Sequence, residues 1–175
     1  MKSNLANIFI RYLILVLVAI PNLFIFYLVF TPLTIYPVYF LLSFFFDVIL
    51  IKNFMVINGQ FQIELIQACI AGAAYYFLLI INLSTPKINL KNRITMIVVA
   101  FSSLLLLNIT RIIFMTFVFN GYPNFFELTH SLLWYGLSTI FVVGIWFAEV
   151  KIFKIKEIPF YSDLKQLYRN SFLRR

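Results

Sequence analysis

Three side chains that together suffice for acyl transfer stand well apart in this chain: Cys69, Arg111 and His130. Cys69 is the only cysteine and His130 the only histidine among 175 residues. A thiol becomes a useful nucleophile when a nearby cation favours the thiolate or a base takes its proton. Histidine titrates near neutrality and can protonate a leaving amine. Arginine stays charged at any working pH and can hold the oxyanion of a tetrahedral intermediate. Each residue also has a plainer reading. A cysteine in a membrane helix is usually a small hydrophobe, Arg111 could snorkel, and His130 could be an interfacial polar residue. Asn108, one turn before Arg111 on nearly the same helix face, could hydrogen-bond across helices. Glu127 reads as the cap partner of Asn124, three residues earlier, at the start of a helix.

The elements that must position these residues are set by composition. The chain is 63% hydrophobic with 22 phenylalanines, and only 11% of it is charged. Soluble domains carry about 25% charged residues. Here the apolar residues form long unbroken runs, so lipid is the expected solvent for most of the chain. The fold class expected is an all-α polytopic membrane protein, a single integral domain with about five transmembrane helices and a short extracytoplasmic β-hairpin before the third. The spans fall at about 12–30, 33–51, 68–82, 94–119 and 131–150. Lys2 and Arg11 precede an apolar run in the manner of a signal peptide, but no small-residue cleavage site follows, so a retained span is expected. Pro21 is the expected kink of the first span, and "TPLT" (Thr31 to Thr34) is the expected turn into the second, with Asp47 near its far end. Asn58-Gly59 wants positive φ at both turn positions, which predicts a surface hairpin over about 54–65. "AGAA" gives the third span a small-residue face. The basic tail 151–175 is expected along the membrane surface.

Charge supplies the sidedness. Lys151, Lys154, Lys156, Lys165, Arg169, Arg174 and Arg175 crowd the tail, and Lys87, Lys91 and Arg93 the connector before the fourth span. The 120–129 loop has neither Lys nor Arg, and the hairpin region only Lys52. Basic loops stay in the cytoplasm, so the expected location is the cell membrane, with a cytoplasmic C-terminus and the hairpin and 120–129 loop outside. Five spans then put the N-terminus outside, against the vote of Lys2 and Arg11. At 1.5 Å per residue Arg111 lies roughly 27 Å beyond Arg93, and His130 roughly 30 Å from Lys151. Cys69 opens the third span. All three therefore reach the same outer face. A single cysteine excludes an internal disulfide and a cysteine-based zinc site. No cofactor, metal or nucleic-acid partner is expected.

The ordered set "ACIAGA" after a strand-like segment, "NITR" late in a long span and "ELTH" opening the last span resembles the exosortase/archaeosortase family, over roughly Val56 to Val150. The resemblance suggests a small, archaeal-type member. It implies a membrane-embedded cysteine transpeptidase or protease, a hydrolase-like protein-sorting enzyme. Its substrates would be secreted proteins ending in a short motif, a hydrophobic span and a basic cluster. Carried over, Cys69 is the nucleophile, Arg111 the oxyanion or substrate-carboxylate partner and His130 the acid/base. Asn108 is the motif asparagine that positions Arg111, and Glu127 is a supporting residue. The implied reaction forms a thioester and passes the product to a lipid-linked amine or to water. Family members commonly have Ser-Gly directly after the cysteine; here Ile70-Ala71 precede Gly72. The rival reading is a non-enzymatic membrane module, a transporter subunit or assembly factor, whose polar cavity at Arg111 and Asn108 binds a partner while Cys69 merely packs.

Overall fold

The computed structural model describes residues 2–20 and 22–170. Helices α1 (Lys2–Ala19) and α2 (Phe24–Leu42) are followed by strands β1 (Val48–Ile51), β2 (Phe54–Ile57) and β3 (Phe61–Glu64). Then come a single-turn helix α3 (Gln67–Ile70), α4 (Gly72–Ser84), the long α5 (Leu90–Gly121) and α6 (Pro123–Ser131). A π-helical turn, Leu132–Leu137, carries α6 without interruption into α7 (Ser138–Ile152), and α8 (Tyr161–Asn170) lies in the tail. Among the described residues four helical segments are long and apolar enough to cross a membrane: Phe24–Leu42, Gln67–Ser84, Leu90–Gly121 and Pro123–Ile152. Large apolar side chains such as Leu28, Val98, Leu106 and Phe147 stay more than half exposed on their outer faces. A soluble protein would bury such surface, and a lipid solvent removes the need.

The first two expected spans need correction. "TPLT" does not turn the chain; Thr31–Thr34 lies inside α2, which also accommodates Pro32 and Pro37. Prolines are tolerated in apolar helices because neighbouring elements re-satisfy the freed carbonyls. The break falls earlier, at Asn22 and Leu23, whose φ values of 49° and 59° are left-handed; Pro21, the expected kink, lies outside the described residues. Of the five expected spans, the first corresponds to the shorter apolar helix Ala6–Ala19, and the other segments to the four longer helices.

Contacts show how α1 and α2 run. In α1, Arg11 donates to the carbonyl oxygens of Leu83 and Thr85 at the C-terminal end of α4. Further along, the Tyr76 hydroxyl of α4 donates to the Leu15 carbonyl. In α2, Phe30 stacks on Tyr75 at 3.7 Å between ring centres, near the start of α4. Ile35, Val38 and Leu42 then pack against the sheet and against Ile109 and Ile112 of α5. Both helices therefore advance in one direction, from the end of the molecule holding Arg11 and Arg93 to the end holding the sheet.

The sheet is a three-stranded antiparallel meander in the order β1-β2-β3. Asn58 and Gly59 adopt φ values of 51° and 64°, as the turn signal requires. The expected hairpin over 54–65 is therefore present as β2 and β3, with a third strand added. β1 comes from the end of the expected second span: "VILI" pairs with β2 in the register Val48 with Ile57 through Ile51 with Phe54. The Asn58 amide donates to the Asp47 carbonyl, and the Asp47 amide to Asn58 Oδ1, which pins the entry of β1 to the turn. Asp47 thus opens the sheet rather than closing a helix. Met55 and Ile57 of β2 are buried over Val38 and Leu42 of α2, so the sheet caps the helix ends.

At the opposite end the tail folds back. Arg11 makes a two-pronged pair with Asp163 of α8 at 2.8 Å on both oxygens, and Asp163 is 1% exposed. Arg93 donates to the carbonyl oxygens of Asn82, Leu83 and Thr85, closing the end of α4. The Phe160 amide donates to the Ser84 carbonyl, and Lys87 pairs with Glu157. The tail is thus tied to the helix ends at Glu157, Phe160 and Asp163; Arg174 and Arg175 lie outside the described residues.

Candidate functional site

Cys69, Arg111 and His130 line one cavity of about 250 Å³ at the sheet end. They arrive on three elements, α3, α5 and α6, with Gln62 and Glu64 of β3 forming another wall and Trp134 of the π-turn closing the set. The expected common level of the three residues is therefore also a common space.

The backbone around Cys69 is specific. α3 is only one turn; the Cys69 amide donates to the Ile66 carbonyl at 2.8 Å. Ala71 then takes a left-handed φ of 62°, ends α3 and starts α4. Such a φ strains any residue with a Cβ, and it turns the chain so that Cys69 faces the cavity while Ile70 enters the core behind it. Gly72 has no room for a side chain, because a Cβ there would meet the Tyr27 ring of α2 at 2.7 Å. The "IAG" after the cysteine is thus a buried anchor, a kink and a close-contact point. Asn108, 3% exposed, donates from Nδ2 to the Cys69 carbonyl at 2.8 Å, clamping the short helix to α5. Asn108 thus makes the hydrogen bond across helices that its position allowed, and it does so to the cysteine's own backbone.

Arg111 is oriented from the other side. Its Nη1 donates to Ser138 Oγ at 2.9 Å, and the guanidinium lies over the Trp134 ring at 5.5 Å from the centroid. Ser138 Oγ in turn donates to the Leu133 carbonyl at 3.0 Å, one π-turn back. A π-turn widens the helix by one residue and is found most often at functional sites. Here it brings Trp134 and Ser138 together on the guanidinium. Both are absent from the residues expected by sequence. Trp134 had a readable signal, one helical turn after His130 on the same face. Ser138 had none, because its register depends on the π-turn. Arg111 and the Glu64 carboxylate both lie within electrostatic range of Cys69.

His130 is exposed along one side and stacked between Phe126 at 5.6 Å and Trp134 at 6.1 Å, ring planes within 15° and 26°. The stack fixes the ring over the cavity without hydrogen-bonding it to the thiol. Glu127 is exposed and outside the cavity wall. The capping role expected for it with Asn124 is also corrected: α6 starts with Pro123 at its first position, where a missing N–H costs nothing. Among the described residues no group of three or more His, Cys, Asp or Glu side chains could hold a metal ion.

No protein-family model, curated protein or solved structure matches this chain.

Proposed function

We propose that the chain is a membrane-embedded cysteine transpeptidase or protease that cleaves C-terminal sorting signals of secreted proteins. The observation that carries this reading is the convergence of the only cysteine, the only histidine and Arg111 on one cavity, from three separate elements. The Cys69 thiolate attacks the carbonyl carbon of the scissile peptide bond. Arg111, held by Ser138 and Trp134, faces the developing oxyanion. His130 gives its proton to the leaving amine as the carbon–nitrogen bond breaks, leaving a thioester on Cys69. A lipid-linked amine or water then attacks the thioester, His130 takes up the incoming proton, and the Cys69 thiolate is released, which restores the starting pair. Asn108 keeps the attacking residue in register by fixing its carbonyl.

The distribution of charge supports a cytoplasmic location for the end holding Arg11, Lys87, Lys91, Arg93 and the tail, and an outward-facing sheet and cavity. Both α1 and α2 run toward the sheet end, which supports reading them as one traverse, with the N-terminus on the cytoplasmic side as well. That removes the conflict of Lys2 and Arg11 with a five-span arrangement.

A thioester intermediate is diagnostic. Hydroxylamine added to membranes processing a secreted substrate should release that substrate as a C-terminal hydroxamate in the wild type and not in Cys69→Ala. Hydroxamate formation that persists in Cys69→Ala would remove the thioester step.

A further inference from the structure

β3 is an edge strand whose free side opens into the cavity. In an antiparallel pair alternate residues exchange hydrogen bonds with the partner strand and the residues between them point their N–H and C=O away. β3 is paired with β2 in the register Phe61 with Ile57, Gln62 with Val56, Ile63 with Met55 and Glu64 with Phe54. The Leu65 amide donates to the Asn53 carbonyl at 2.9 Å, which fixes the phase. Phe61, Ile63 and Leu65 therefore bond toward β2, and the N–H and C=O groups of Gln62 and Glu64 point the other way. Among the described residues no group pairs with those four. Gln62 and Glu64 are exposed, and both line the cavity with Cys69. An unpaired edge is untenable in hydrocarbon, where neither water nor protein satisfies it. It is tenable here because the sheet caps the helix ends and the edge borders a cavity large enough to admit water.

We infer that the substrate binds as an extended peptide strand added to the free edge of β3, hydrogen-bonded to the backbone of Gln62 and Glu64. The identity of the ligand rests on the proposed peptide-bond chemistry; the shape of the site does not. Two outward-facing residues offer two donors and two acceptors at a spacing of about 7 Å, which matches alternate residues of another extended chain. β3 runs directly through Leu65 and Ile66 into α3, so a strand laid along it delivers its end beside Cys69. Backbone pairing reads no sequence. It fixes the register of the scissile bond, while alternate substrate side chains meet the cavity wall at Thr116, Met115 and Phe119. The opposite edge, β1, borders no part of this cavity.

The test uses Cys69 as a reporter thiol in the full-length protein in lipid nanodiscs. A tetrapeptide chloromethyl ketone built of alanine and valine alkylates Cys69, read by intact mass, with iodoacetamide as the small-molecule reference. N-methylating the peptide one residue at a time should slow alkylation about tenfold at alternate positions and leave the intervening positions within about twofold. Gln62→Pro deletes an outward N–H without touching the ladder to β2, as an edge strand permits. It should slow the peptide about tenfold while iodoacetamide reacts within about twofold of wild type. Uniform sensitivity to N-methylation, or none, overturns the inference. So does a dimer that occupies the edge and is dissolved by Gln62→Pro. Should Gln62→Pro fail to fold, the N-methyl series on the wild type decides alone. Peptide alkylation is read without turnover, so a Cys69→Ala strain that processes substrates normally would sink the chemistry and leave the strand-binding result standing.

Discussion

Asn108 Nδ2 donates a 2.8 Å hydrogen bond to the carbonyl oxygen of Cys69, joining the middle of α5 to the single-turn helix that carries the thiol. A four-residue helix has almost no stability of its own, so its position depends on this clamp and on Ile70 in the core. Asn108→Ala leaves a part-buried carbonyl without its donor, a loss of about 1 kcal/mol. Thermal unfolding in detergent should show that loss, and substrate processing should fall with it. Asn108→Asp replaces the donor with a second acceptor and should be worse than alanine in both measurements.

Arg111 is held as a planar fork, by Ser138 Oγ at one nitrogen and by the Trp134 face. A lysine keeps the charge and loses both the fork and the stacking. Arg111→Lys should therefore slow thioester formation about 10²-fold, the scale of removing one oxyanion donor. Ser138→Ala should give a smaller loss in the same single-turnover assay. Full activity in Arg111→Lys would mean that charge alone is required.

Gly72 and Tyr27 form a tight contact between α4 and α2. Gly72→Ala should destabilise the protein, because the added Cβ would sit 2.7 Å from the ring unless Tyr27 moves. Tyr27→Leu frees that space. A double-mutant cycle on unfolding should show a favourable coupling of about 0.5–3 kcal/mol. Strict additivity would show that the contact is not maintained in the membrane.

The sequence was informative where one local signal decides, and silent where distant elements do. Asn58-Gly59 announced its turn because few other residues tolerate positive φ at both positions. "VILI" gave no strand signal, because it continues an apolar run and declares itself only by pairing with β2. Thr31–Thr34, with Pro32, suggested a turn that α2 absorbs. For the site, helix arithmetic brought Cys69, Arg111 and His130 to one end of the molecule, where they line one cavity. The Asn108 clamp, the Ser138 contact and the Trp134 stack depend on rotations about helix axes that an all-apolar run does not encode. Asp163 reads as one acid in a basic tail until Arg11, 152 residues away, is seen to hold it.

The direction of α1 and α2 gives a topology prediction. Reporter fusions at the two termini should both report the cytoplasmic side, and a membrane-impermeant thiol reagent should label Cys69 from outside intact cells. Termini on opposite sides would contradict the single broken traverse.

The central claim is that Cys69 breaks a peptide bond. Mass spectrometry of the C-termini of secreted proteins, in cells carrying wild type or Cys69→Ala at equal membrane levels, tests it most directly. The account predicts that Cys69→Ala leaves a set of secreted proteins with their hydrophobic C-terminal spans and basic clusters attached, while the wild type shows them trimmed at a common motif. Identical C-termini in the two strains would contradict it.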